Sequence, residues 1–339
     1  MPQSLERRYR LCPQLRVYDR LEPVLTPYVT FSSPANFRSP VVNTDRHGFR
    51  VSHAGQVRVD TESWWQANRR GLVLGGSFVF GFGSTEDRQT MVSQLGRRTG
   101  VAFLNLGIRA GNSLQELIAA LPFLSAADTV VVCSGINTLV THLQSSGGHD
   151  LYGPLFGEEW WSALSMRPVR EVAQLAARGR LSGWLGPTRN GHRASAPARR
   201  AQGDLDAAMA RAERQQERDL RLLARALPER IRPVFAVQPF AESLSKAFAE
   251  EELALFQLND TIGEERRDHW HALKSQLRSA WSAYAGRLRQ VCQRLGIPCV
   301  DLNRVAFEGW CFVDRIHMTD HGQAQVASHL AQVVGSCAA

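Results

Sequence analysis

Between residues 70 and 140 the chain alternates short apolar runs with longer stretches of helical spacing. Gly71–Leu72–Val73–Leu74 is one such run and ends in Gly75–Gly76–Ser77; Thr90 to Arg98 follows with apolar residues at helical spacing. Val101 to Leu106 is a second run, succeeded by a Gly-containing turn and the helix-like stretch Ser113 to Leu124. Thr129 to Cys133 is a third and ends in Ser134–Gly135. Pro233 to Val237 and Ile297 to Val300 complete a set of five. Short apolar runs separated by helical segments predict parallel strands buried on both faces. Crossover helices then give an open doubly wound sheet. Ligands bind beyond the C-terminal ends of the strands in such sheets, and here the Gly-rich and polar residues fall at those ends.

The remainder is less regular. Residues 1–69 read as an irregular N-terminal arm with short strands, because prolines at 23, 27, 34 and 40 discourage long helices. Thr44 to Arg50 reads as a turn leading into a short strand. Residues 70–339 read as the main domain, interrupted at about 145–230 by an excursion. The excursion begins with Tyr152, Phe156, Trp160 and Trp161, and carries six arginines and no acid from Arg178 to Arg200. Trp160, Trp161 and Trp184 suit either a lid or simple packing against the sheet. Residues 186–203 lack apolar periodicity and read as a mobile loop. Helical spacing returns over Leu205 to Leu227 and over 248–294.

Composition narrows the picture. With 339 residues, 44% hydrophobic and 21% charged, the chain is globular in type. No stretch approaches the roughly 18–20 apolar residues of a spanning helix. Met1 to Arg20 has no apolar run, so a secretory signal is not expected and the cytoplasm is the expected compartment. The net charge is +8, and two of the 40 basic residues, Lys246 and Lys274, are lysines. Coding bias explains the arginines most simply; an anionic partner is the functional alternative. Without zinc-finger spacing, RNP aromatics or a dense basic helix, nucleic acid is not an expected partner. The six cysteines, Cys12, Cys133, Cys292, Cys299, Cys311 and Cys337, form no CxxC pair. Cys133 reads as a buried thiol. His47, His142, His149, His269 and His271 have no partners at metal-ligand spacing, so no metal or other cofactor is expected.

Four segments at strand ends carry chemistry. Ser77 follows two glycines and so suits a tight turn with an exposed hydroxyl. The Asn105-to-Ser113 turn offers backbone N–H groups, and Ser134–Gly135–Ile136–Asn137 offers an asparagine amide toward the same cleft. Asp314 and His317 lie three residues apart, so the carboxylate can fix the imidazole tautomer and leave the other nitrogen free for a serine proton. His321 is an alternative base that lacks this partner. Each segment alone also suits an ordinary turn or surface pair. Gly75–Gly76–Ser77 is no phosphate loop, because the Gly–Lys–Ser/Thr ending is missing.

In this order, from about residue 70 to 335, the four segments resemble the SGNH hydrolases, or GDSL esterase and lipase family. Val237–Gln238–Pro239 and a helix after His317 add to the likeness. Asn43 to Arg50, followed by Leu–Gly–Gly–Ser, resembles the bacterial branch found near polysaccharide or secondary-metabolite tailoring genes. The resemblance implies a flavodoxin-like three-layer α/β/α sandwich with a five-stranded parallel sheet. It implies Ser77 as nucleophile, His317 as general base and Asp314 as its orienting carboxylate. The oxyanion donors it implies are the Ser77 N–H, the N–H of Ala110 or Gly111, and the Asn137 side chain. The first motif reads Gly–Gly–Ser instead of Gly–Asp–Ser, and a gap-free reading puts Ala110 where the family usually has glycine. The expected activity is hydrolysis of an ester, thioester or O-acetyl group, on a small-molecule, carrier-bound or glycan substrate. Acyl transfer to a hydroxyl uses the same first half-reaction. A silent binding module and an anionic-surface binder are readings from other classes.

Overall fold

A computed structural model describes residues 3–26, 29–144, 152–155, 202–261 and 267–337. The N-terminal region contains helices α1 (Gln3–Leu11) and α2 (Leu15–Arg20) and two antiparallel hairpins. The hairpins pair β1 (Val24–Thr26) with β2 (Thr30–Ser32) and β3 (Ser52–Ala54) with β4 (Val57–Val59). The short α3 (Thr61–Trp65) leads into the main sheet.

That sheet has five parallel strands: β5 (Arg70–Gly75), β6 (Ala102–Gly107), β7 (Thr129–Ser134), β8 (Val234–Val237) and β9 (Cys299–Asp301), in the spatial order β6-β5-β7-β8-β9. Side chains alternate between faces as the two-residue strand period requires. Leu72, Leu74, Leu104, Leu106, Val130 and Val132 join one core cluster; Val73, Phe103, Val131 and Cys133 join the other. The first cluster is covered by α6 (Ser113–Ala120), α7 (Ile136–Gln144), α8 (Gln202–Ala226) and α10 (Arg267–Leu295). The second is covered by α5 (Met91–Thr99) and the C-terminal α11 (Asp320–Cys337). The result is a three-layer α/β/α sandwich. Cys133 is fully buried, and burial pushes its thiol well above the usual range.

The chain leaves β5 for β6 on one side and returns for β7 on the other. Register aligns Gly75 with Gly107 and with Cys133, so three neighbouring strands end level. A crevice opens at such a reversal. The single turn α4 (Ser77–Phe80) and the segments after β6 and β7 surround it.

One expectation changes. Residues 3–20 are largely helical, not irregular. The prolines weighed against helix begin at 23, which leaves α1 and α2 free to form and to bury Tyr9, Cys12, Leu15 and Tyr18. Within the expected helical stretch 248–294 the described residues form α9 (Glu250–Thr261) and α10. Trp160, Trp161, Trp184 and residues 186–201 of the expected loop lie outside the described residues. Among the described residues no helix is long and apolar enough to cross a membrane.

Candidate active site

Ser77 opens α4 directly beyond the end of β5. A side chain at position 76 would displace the Asn137 amide, because a Cβ there would lie 2.3 Å from Asn137 Nδ2. Asn105, fully buried on β6, donates from Nδ2 to Val79 O at 3.0 Å and so ties this turn to the sheet.

Asp314 and His317 sit on the loop before α11. Val313 N–H donates to His317 O at 2.9 Å, which folds the loop back on itself. Asp314 Oδ1 accepts from the N–H groups of Ile316 and His317, both at 2.8 Å. Its Oδ2 lies 2.7 Å from His317 Nδ1, and His317 Nε2 lies 2.7 Å from Ser77 Oγ. Burial pushes the Asp314 carboxyl up, but the His317 ring and the hydrogen bonds outweigh it and hold the group below its ordinary value. A carboxylate accepts only, so Nδ1 carries the ring proton and the Nε2 lone pair faces the serine hydroxyl. This arrangement can take a proton from Ser77 as its oxygen attacks a carbonyl. The alternative base, His321, is engaged elsewhere: its Nε2 is 3.0 Å from Glu308 O and 2.8 Å from Gln325 Nε2.

The turn after β6 separates its two candidates. Gly111 N–H donates to Ile108 O at 3.0 Å and is committed to the turn. Ala110 adopts a left-handed φ of 60°, and its N–H, like that of Ser77, has no acceptor among the described residues. Asn137 Nδ2 donates to Gly111 O at 2.7 Å, which leaves its second hydrogen for another acceptor. Ser77, Ala110 and Asn137 therefore come from three adjacent strand ends to one place.

Sequence reasoning missed several neighbours. The Phe82 ring lies over His317 with centroids 4.5 Å apart and planes at 37°. Phe82 is backed by Tyr18 at 4.7 Å. Phe82 stood in a Gly–Phe–Gly stretch that reads as plain turn, and Tyr18 stood in the arm. Glu116 on α6 is 2% exposed. Its Oε1 accepts from Ser134 Oγ at 3.0 Å, and its Oε2 has no partner among the described residues. Burial, helped by the charge of Asp219, pushes this carboxyl up to about 8 against the opposing Ser134 hydrogen bond. On α6 it looked like one more polar residue of a helix face.

Of the remaining histidines, His142 Nε2 pairs with Gln215 Oε1 at 2.8 Å and His47 Nε2 lies 3.0 Å from Arg46 Nε. The position of His149 and the side chains of His269 and His271 lie outside the described residues. No cluster able to hold a metal occurs among the described residues.

Fold and site together define an α/β sandwich with a serine–histidine–aspartate relay at the C-terminal end of its parallel sheet. No protein-family model matches the chain, and no curated protein matches it. Similar solved structures include an extracellular lipase from Streptomyces rimosus, at 12% identity and TM-score 0.42, covering 78% of this chain and 98% of the lipase. The inhibitor-bound aryl esterase of M. smegmatis is 13% identical with TM-score 0.42, over 79% of this chain and 99% of that one. A carbohydrate acetylesterase family member from Sinorhizobium meliloti is 12% identical with TM-score 0.41, over 79% and 98%. At these scores the likeness carries no argument about activity, which rests on this chain's own residues.

Proposed function

We propose that this chain is a serine hydrolase of the SGNH type that cleaves an ester, thioester or O-acetyl group through an acyl-enzyme on Ser77. The observation that carries the reading is the relay of two 2.7 Å contacts, Ser77 Oγ to His317 Nε2 and His317 Nδ1 to Asp314 Oδ2.

Ser77 Oγ attacks the carbonyl carbon while its proton passes to His317 Nε2. Asp314 orients the ring and stabilises the imidazolium. The carbonyl oxygen becomes an oxyanion and accepts from the N–H groups of Ser77 and Ala110 and from Asn137 Nδ2. Collapse of the tetrahedral species breaks the bond to the alcohol or thiol, which leaves with the proton from His317. Water then loses a proton to His317, attacks the acyl group and releases the acid, restoring Ser77. Gly111 contributes through its carbonyl, which holds the Asn137 amide.

The substrate class is an acylated small molecule, carrier or glycan. Hydrolysis of p-nitrophenyl acyl esters of increasing chain length tests the reading. Turnover by wild type that Ser77→Ala abolishes supports it. Turnover retained in Ser77→Ala contradicts it.

A further inference from the structure

The carbonyls of the loop after Ser77 are held by three side chains of the N-terminal segment, Gln14, Tyr18 and Arg50. Arg50 Nη1 donates to Phe80 O at 3.1 Å and to Gly81 O at 2.8 Å. The Tyr18 hydroxyl lies 2.9 Å from Gly81 O and 2.8 Å from Ser84 O, and accepts from Arg50 Nη1 at 2.8 Å. Gln14 Nε2 donates to Gly83 O at 2.9 Å. Arg50 is completely buried and is itself fixed by Asp87 Oδ1 at 2.8 Å and Val41 O at 2.7 Å. Four of the five carbonyls from Phe80 to Ser84 are thereby clamped, and the side chain presented between them is Phe82.

Phe82 lies against the face of the His317 ring. Asp314 and Ser77 restrain the two nitrogen-bearing edges of the imidazole in its own plane. Neither resists tilting out of that plane. An aromatic ring packed at 4.5 Å, its plane tilted by 37°, does, and an aromatic face also attracts a cation within about 6 Å. We infer that Phe82 is a positioning residue for the His317 imidazole and that the N-terminal segment, through Tyr18 and Arg50, holds it in place. This rests on the reading of Ser77, His317 and Asp314 as the reacting groups. Tyr18 and Arg50 then serve catalysis by way of Phe82.

The test compares full-length wild type with Phe82→Leu, Phe82→Tyr and Tyr18→Phe. One readout is the rate at which a fluorophosphonate modifies Ser77. The other is the set of imidazole resonances of His317 in protein labelled with 15N-histidine. Phe82→Leu is expected to slow modification about 10- to 100-fold, the scale of a small misplacement of a reacting group, and to shift the His317 resonances. Phe82→Tyr is expected to restore both, and Tyr18→Phe to show the same changes to a smaller degree. Unchanged rate and resonances in Phe82→Leu overturn the inference, as does a Phe82→Tyr variant as impaired as Phe82→Leu. If Phe82→Leu does not fold, Tyr18→Phe decides by the same two readouts. If wild-type Ser77 is not modified at all, the hydrolase reading fails, while the His317 resonances still report whether Phe82 holds the ring.

Discussion

Asn137 stands where a side chain at Gly76 would have to be. Its Nδ2 lies 2.3 Å from the ideal Cβ position of residue 76 and donates to Gly111 O at 2.7 Å. The Gly–Gly–Ser sequence therefore lets an amide from the β7 end close over the nucleophile's turn. Gly76→Ala is expected to push that amide away. It and Asn137→Ala should each lower kcat about 10²–10³-fold, the usual cost of one oxyanion donor, with little change in KM. Steady-state kinetics on a short acyl ester check this. Wild-type kcat in Asn137→Ala would remove the residue from the mechanism.

Ala110 carries a φ of 60°, a conformation that L-residues other than glycine adopt at a cost of about 1–2 kcal/mol. Ala110→Gly relieves the strain but gives the unfolded chain more freedom. The two effects nearly cancel, so stability should change by less than about 1 kcal/mol. The donor N–H survives, so kcat should stay within a few-fold. Urea unfolding and kinetics of the variant test both halves; a large loss of kcat would show that the methyl group itself has a role.

Asp314→Asn tests the tautomer. An amide in place of the carboxylate no longer demands a proton on Nδ1, so Nε2 is not kept free for Ser77. The expected loss is about 10³–10⁴-fold in kcat. Ester hydrolysis by a variant with unchanged thermal stability measures it. A loss under ten-fold would contradict the assigned role.

Glu116 sets a pH dependence of stability. In the unfolded chain its carboxyl ionises near its ordinary 4.5, whereas burial holds the proton in the folded protein to about 8. Below pH 4.5 both states are protonated and the full contribution is present. Between the two values only the unfolded state loses the proton, so stability falls as pH rises, by at most about 1.4 kcal/mol per pH unit. Above about 8 the loss is complete. Glu116→Gln keeps an acceptor for Ser134 and has no proton to lose. Urea midpoints at about pH 5 and pH 8 should therefore differ less in the variant than in wild type. Equal differences would contradict the assignment.

What the sequence revealed and what it hid follow from the range of the contacts. The five strands are visible because four of them are buried along nearly their whole length, with β9 half-buried, and helical spacing separates the runs. Ser77, Asn137, Asp314 and His317 stand where buried strands stop or beside a helix start, but each alone also suits an ordinary turn or surface pair; their order along the chain, which resembles the SGNH hydrolases, is what singles them out. Tyr18 and Arg50 are different. Their partners, Gly81 and Phe80, lie 63 and 30 residues away. Periodicity reports only near neighbours, so the completely buried Arg50 reads from sequence only as the end of a turn leading into a short strand. Helices α1 and α2 are too short to be stable alone and owe their existence to packing around Phe80, Leu255 and Val313. The proposal of Ala110 over Gly111 rests on the Gly111-to-Ile108 hydrogen bond, a contact that no sequence pattern reveals.

The central claim is that Ser77 is an activated nucleophile. Intact mass after treatment with a fluorophosphonate, on wild type and Ser77→Ala, tests it most directly. A single adduct on wild type, located on the peptide containing Ser77 and missing from the variant, is the predicted result. A folded wild-type protein that takes up no adduct, or a variant labelled as fast as wild type, would contradict it.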